Sequence, residues 1–192
     1  MRISGGDARG ILLDVPSGVE YLRPATDFLR EAVFSSLGQN VRNALVLDLF
    51  AGVGGYGLDA LSRGANGCVF VEKSRVAVDA IGKNLGKAKK SIGRDITAKI
   101  FCADVFAWAT SYDAAFDIIF IDPPYNMAES RATELLTLAS KFLASTDGAR
   151  AIFEVPGSCE IDATADLLEL RRLGRSGNSR QPNALIYGKK QK

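Results

Sequence analysis

A carboxylate, two prolines and an aromatic ring stand together at Asp122-Pro123-Pro124-Tyr125, directly after the apolar run 116–121. Proline removes an amide donor and fixes φ, so two in succession end a strand and stiffen the turn. Pro123 also biases Asp122 toward an extended conformation. The result is a rigid loop at a strand's C-terminal end, presenting one carboxylate, backbone carbonyls and one flat ring. Such parts suit gripping an exocyclic amino group on a planar ring. A surface turn uses the same residue types, so the tetrapeptide alone does not choose between the two.

A second motif lies upstream. Residues 44–50 (ALVLDLF) are nearly continuous apolar, as expected of a strand covered on both faces. Gly52-Val53-Gly54-Gly55-Tyr56-Gly57 follows, and Leu58-Asp59-Ala60-Leu61 then takes up helical apolar spacing. Strand, glycine turn and helix make a nucleotide-binding βα unit in which the backbone can pass close to a ligand. Asp48 sits inside the end of the first strand, and a second strand, 68–71, delivers Glu72 about 20 residues on, where an acid can accept both ribose hydroxyls. Nicotinamide dinucleotides need the same acid, so these residues leave the cofactor open.

The elements that position these groups alternate from residue 44 onward. Strands are expected near 44–50, 67–72, 97–102, 116–121 and 149–155, with helices near 55–63, 75–91, 105–110 and 128–144. This order predicts an α/β, doubly wound, mainly parallel sheet with ligands at the strand C-termini. Residues 167–173 and 183–188 leave no room for a crossover helix between them, so they should form an antiparallel pair. Ahead of the sheet, residues 1–15 read as a short β-hairpin, and Thr26 or Asp27 is placed to cap a helix ending at Gly38. No repeat and no linker follow residue 40, so an extension, 1–40, precedes a main domain, 41–192.

On this frame Asp48, Glu72, Asp104 and Asp122 each stand at the C-terminal end of a strand. Like charges gathered at one rim raise each other's pKa, and a cationic, donor-rich ligand would relieve them. S-adenosylmethionine, with its sulfonium, amino group, ribose hydroxyls and adenine amine, fits that rim better than NAD, whose pyrophosphate would be repelled.

Composition bounds the rest. The 192 residues fit one domain with a substantial core, and no apolar stretch approaches the ~18 residues of a membrane span. Without an apolar leader at residues 1–6, the expected location is cytoplasmic. Cys68, Cys102 and Cys159 are scattered and read as small buried hydrophobes, so no metal site is expected. Histidine is absent, which removes the usual general base. Net charge is only +2, yet Lys73, Arg75, Lys83, Lys87, Lys89, Lys90 and Arg94 face Asp79 alone across 73–94. Residues 171–192 hold seven bases (Arg171, Arg172, Arg175, Arg180, Lys189, Lys190 and Lys192) and no acid. Both patches suit a polyanion, although Val78, Ile81, Leu85 and Ala88 give the first one an ordinary helix stripe.

Taken in order, DLFAGVGGYGLDALSRGA, FVEK, the CAD of 102–104 and DPPY resemble class I S-adenosylmethionine-dependent methyltransferases that act on amino groups. The pieces RISGG with Arg9-Gly10, and LRPATD with Arg30-Glu31 and Phe34, narrow the resemblance to the bacterial 16S rRNA guanine-N2 methyltransferases. It covers nearly the whole chain. The chain departs from that family's usual residues at Ala25, Phe28, Val53 and Gly177-Asn178-Ser179.

The resemblance implies a seven-stranded Rossmann-like methyltransferase sheet over 41–192, with 1–40 contacting RNA and cofactor. It implies that Gly52 and Gly54 pack against the methionine moiety of S-adenosylmethionine, with Asp48 near its amino group. Glu72 would hold the ribose and Asp104 the adenine amine beside the Val105 amide, while Arg23 and Thr26 close over the far end. S-adenosylhomocysteine would be the product. Asp122, Pro123 and Tyr125 would hold a guanine amino group, and the partner would be 16S rRNA or the assembling small subunit. Nothing in the sequence demands more than a monomer. Three alternatives stay open. A DNA adenine-N6 methyltransferase would share DPPY but usually needs a larger recognition region, and a nicotinamide dehydrogenase would leave DPPY unexplained. A non-catalytic RNA-binding assembly factor would not depend on Asp122.

Overall fold

Apolar runs bounded by turn residues become strands with little displacement. A computed structural model describes residues 1–17, 24–159, 161, 166–174 and 181–190, with the backbone alone at 24–26. In chain order the elements are α1 (Pro24–Leu37), a short 3-10 turn (Gly38–Val41), β1 (Leu45–Leu49), α2 (Gly55–Ser62), β2 (Gly67–Glu72) and α3 (Arg75–Ile92). They continue with β3 (Thr97–Cys102), α4 (Val105–Ser111), β4 (Ile118–Ile121), α5 (Tyr125–Ser130), α6 (Ala132–Phe142), β5 (Arg150–Pro156), β6 (Leu167–Leu173) and β7 (Pro182–Lys189).

Among the described residues the seven strands form one sheet in the order β3-β2-β1-β4-β5-β7-β6. The pairs β1–β2, β2–β3, β1–β4 and β4–β5 are parallel, and β7 runs antiparallel to both β5 and β6. The direction of winding reverses between β1 and β4, and a crevice at such a switch point is where open α/β sheets bind ligands.

Side-chain alternation gives the sheet two buried faces. Val46, Ile118, Phe120, Ile152, Ala184 and Ile186 pack beneath α1, α2 and α3, together with Ile3, Ala8 and Leu13 of the N-terminal segment. Leu47, Leu49, Ile119, Ile121, Phe153 and Leu185 pack beneath α4, α5 and α6. The expected hairpin is present as an Arg2–Leu12 bridge, with Ile3 N–H donating to Ile11 O at 3.0 Å and Gly10 N–H to Ile3 O at 2.9 Å.

Three local expectations are corrected. The first helix begins at Pro24, not behind a cap at Thr26 or Asp27. Proline suits a first turn because its missing amide would have no intrahelical partner there, and Asp27 pairs with Arg30 at 3.0 Å instead. The helix expected near 128–144 is two helices, since Arg131 leaves helical geometry at φ −126°, ψ 22°. The first of them starts at Tyr125 with Pro124 as its cap, so the loop at Asp122–Pro124 leads straight into a helix. Cysteine burial is also mixed: Cys68 and Cys159 are buried but Cys102 is exposed.

Candidate active site

The glycine turn is built for close approach. Gly52 and Gly54 take φ of +55° and +89°, the left-handed region that favours glycine, and Gly54 caps α2. Gly57 has a packing duty: a Cβ there would run into the Phe70 ring and lie 2.7 Å from Cys68 Sγ. Helix α2 therefore lies directly on β2, and its start is brought to the end of β1.

At that end Gly57 N–H donates to Asp48 Oδ2 at 2.8 Å. Glu72 accepts from Gly52 N–H (Oε2, 2.9 Å) and from Ser74 N–H (Oε1, 2.8 Å). Glu72 thus braces the glycine turn from the neighbouring strand, keeping further lone pairs for a ligand. Asp104 caps α4, its Oδ1 accepting from Phe106 N–H at 2.9 Å and Ala107 N–H at 3.2 Å, and Val105 is buried as the first residue of that helix.

A cavity of about 360 Å³ opens between the glycine turn and the DPPY loop. Asp48, Gly52, Asp122, Pro123 and Tyr125 line it, joined by Met1, Arg30, Tyr56 and Glu154. Of the expected site residues, these first five are brought together. Gly54, Glu72, Asp104 and Val105 follow the same strand-end rim without lining the cavity. Arg23 and the Thr26 side chain lie outside the described residues, as do Gly177-Asn178-Ser179 and the bases Arg175, Arg180 and Lys192.

Asp48, Asp122 and Glu154 come from β1, the end of β4 and β5, on the sheet face that α1 and α2 cover. Burial pushes Asp122 up to about 7, with Arg30 pulling the other way. Burial, then the charges of Asp122 and Glu72, hold Asp48 well above the carboxylate range despite the Gly57 amide. Burial and next the Asp122 charge raise Glu154 strongly as well. Repulsion, the cause expected from sequence, contributes at Asp48 but ranks below desolvation.

Arg30 is the cation facing these acids, and it is 2% exposed. Burial works against its charge, but Asp59, then Asp27 and Tyr56, outweigh that and raise it above its ordinary value. Its Nε donates to Asp59 Oδ2 at 2.7 Å and one terminal nitrogen to Arg2 O at 2.8 Å. Tyr56 stacks on Phe120 at 4.6 Å between centroids and donates its hydroxyl to Glu154 Oε2 at 3.0 Å.

The sequence reading passed over Glu154, Arg30 and Tyr56 as site residues. Glu154 had a usable signal, a lone acid in the apolar run 151–155 at the end of a parallel strand. For Arg30 and Tyr56 only tertiary packing shows the role. The basic stretch 73–94 is partly committed to the protein itself. Lys87 pairs with Asp14 at 2.7 Å, Arg75 with Asp79 at 3.2 Å, and Arg94 donates to Leu61 O and Ala65 O. Lys83, Lys89 and Lys90 are exposed on α3. Among the described residues no His, Cys, Asp or Glu group is arranged to hold a metal ion, and no helix is long and apolar enough to cross a membrane.

A seven-stranded sheet of this order, with a carboxylate-lined cavity beside a glycine turn at its switch point, defines a Rossmann-like methyltransferase fold. The chain belongs to the family described as Conserved hypothetical protein 95, whose model matches residues 1–181. It is 31% identical over 175 residues to "Putative rRNA methyltransferase YlbH" of Bacillus subtilis, covering 90% of this chain and 91% of that one. It is 36% identical over 125 residues to "Ribosomal RNA small subunit methyltransferase D" of Escherichia coli K12, covering 65% of this chain and 60% of that protein. The solved structure "Putative methyltransferase yhhF from Escherichia coli" matches with a TM-score of 0.82 at 29% identity, covering 100% and 99% of the two chains.

Proposed function

We propose that this protein transfers a methyl group from S-adenosylmethionine to the exocyclic N2 amino group of a guanine in 16S rRNA of the small ribosomal subunit. The observation that carries the reading is the cavity itself, where the buried Asp48 and Glu154, the half-buried Asp122 and the rest of the DPPY loop face one lining cation among the described residues, Arg30. That set of acceptors fits S-adenosylmethionine: a sulfonium and an amino group are welcome among carboxylates, and a pyrophosphate is not. When bound, S-adenosylmethionine supplies a methyl group activated by its positive sulfur.

The protein's part is to hold and position. Asp48 and the turn at Gly52 and Gly54 would take the methionine end, Glu72 the ribose, and Asp104 with the Val105 amide the adenine. Asp122 and the Pro123 carbonyl would each accept one hydrogen of the target amine, fixing a nitrogen whose lone pair is otherwise drawn into the ring. This is positioning with preorganised acceptors, which needs no histidine. Tyr125 would stack on the extruded base, a contact that contributes about 1–3 kcal/mol. Extrusion costs less from a loop than from a duplex, so a loop guanine is the favoured target. Residues 1–40 would contact RNA at the mouth, where Met1 and Arg30 already line the cavity; Arg23 and Thr26 would close over the cofactor. The protein would act as a cytoplasmic monomer without a metal.

The test is nucleoside mass spectrometry of rRNA from cells with and without the protein, with labelled transfer to small-subunit rRNA and to DNA. Loss of one N2-methylguanosine supports the reading. Label in DNA alone overturns it.

A further inference from the structure

Methylating an amine leaves a proton to dispose of, and the cavity holds a group for it that the DPPY loop does not supply. Strand β5 pairs with β4 in parallel, Ile121 beside Phe153. The next residues on each strand are Asp122 and Glu154, so the register sets these two carboxylates side by side. Both line the same cavity. Glu154 is 2% exposed, and an isolated carboxylate at that depth is costly to ionise.

Among the described residues, the charged and titratable groups around Glu154 are few. From β4 comes Asp122, from β1 Asp48, from α1 Arg30 and from α2 the Tyr56 hydroxyl; the β7 partner in register is the apolar Ala184. Arg30 is held by Asp59, Asp27 and the Arg2 carbonyl. Its charge is therefore already committed to Asp59 and Asp27 and is not free to neutralise Glu154. Tyr56 supports Glu154 with one hydrogen bond, leaving the carboxyl further capacity to hold a proton.

We infer that Glu154 and Asp122 act as one carboxylate pair, in which Glu154 sets the protonation of Asp122 and the pair receives the proton released by the target amine. The inference rests on the amine-methylating function proposed above. In the step, the carbon–sulfur bond breaks with its electrons kept by sulfur, and the amine lone pair forms the new carbon–nitrogen bond. The nitrogen, now positive, gives up one hydrogen as a proton. A pair that starts with one proton and one negative charge takes it up and becomes neutral. It then returns the proton to water at the cavity mouth. Two carboxyls this close titrate as a unit, in keeping with the raised values at Asp122 and Glu154. Glu154 works through Asp122, so it is a positioning residue.

The experiment is single-turnover methyl transfer to rRNA from weakly acidic to alkaline pH, alongside carboxyl-carbon NMR titration of the ligand-free protein. The wild-type rate should rise through about pH 7 as Asp122 ionises. Glu154→Gln replaces the carboxyl that shares the pair's single proton with an amide that cannot, so Asp122 should ionise less easily. Its acid limb should move up by about one pH unit, and the plateau rate should fall about tenfold or more. S-adenosylhomocysteine affinity should stay within about twofold, because the change does not touch the groups assigned to its binding. Should Glu154→Gln fail to fold, Tyr56→Phe keeps the carboxylate and withdraws only its hydrogen bond. That bond favours the charged form, so the Glu154 titration and the acid limb should both move up. An unmoved limb in folded variants of an active enzyme would overturn the inference alone. No transfer by the wild-type protein to any RNA would overturn the functional reading and the inference with it.

Discussion

Arg30 Nε and Asp59 Oδ2 lie 2.7 Å apart with both side chains buried, tying α1 to α2 at the cavity wall. The same carboxylate takes Ser4 N–H at 2.9 Å, the Ser4 hydroxyl at 3.0 Å and Gly5 N–H at 3.2 Å through its other oxygen. One buried ion pair therefore organises three segments of the chain. Removing Arg30 leaves the buried Asp59 with the longer Arg63 contact at 3.6 Å in its place, which costs up to about 3–5 kcal/mol. Arg30→Met should lower unfolding free energy in urea by that amount, and Arg30→Met with Asp59→Leu by less than the two single changes summed.

Gly57→Ala separates packing from helix propensity. Alanine within a helix normally gains up to about 1 kcal/mol over glycine. Here the added methyl meets the Phe70 ring and Cys68 Sγ, and overpacking of that kind costs about 1–3 kcal/mol. The melting temperature should fall. A rise would mean that β2 gives way beneath the helix.

Asp122→Asn should raise stability and lower activity together. The folded state lifts this carboxyl from 3.8 to about 7, so folding favours its protonated form. Stability from this group is complete below about pH 4 and declines as pH rises toward 7. At alkaline pH the asparagine variant escapes that cost, a gain with an upper bound of about 4 kcal/mol. Methyl transfer should fall at least about ten- to a hundredfold through loss of a charged acceptor. Denaturation at two pH values and a labelled transfer assay check both halves; equal stability at the two pH values would refute the first.

Glu72→Gln tests the ribose assignment. Both carboxylate oxygens accept backbone amides, one of them in the glycine turn, whereas glutamine keeps only one oxygen. S-adenosylhomocysteine affinity by calorimetry should drop about 10–100-fold, as expected for losing a hydrogen bond to a charged group. Unchanged affinity would remove Glu72 from the cofactor site.

Strand β2 was legible to the residue because it is an apolar run closed by Gly67 and Glu72. The DPPY loop and glycine turn were legible because proline and glycine act locally, through φ and the missing amide or Cβ. The break at Arg131 was not, since arginine is a good helix former and the apolar spacing runs on across it. Glu154 shows the deeper limit. Its meaning depends on standing beside Asp122, and that neighbour relation belongs to the register of β4 and β5.

The reversal of strand order between β1 and β4 also governs when the site comes into being. The bonds that join these strands begin where Asp117 N–H donates to Leu45 O and Leu45 N–H to Asp117 Oδ2, 72 residues apart in the chain. Closing so long a loop is slow and entropically uphill until the contacts it allows are made. A chain with its N-terminal βα unit formed would still lack the DPPY half of the cavity. Under the proposed assignments, cofactor binding through Glu72 would therefore mature earlier in folding than the grip on the target amine. Stopped-flow refolding should find the former restored before the latter.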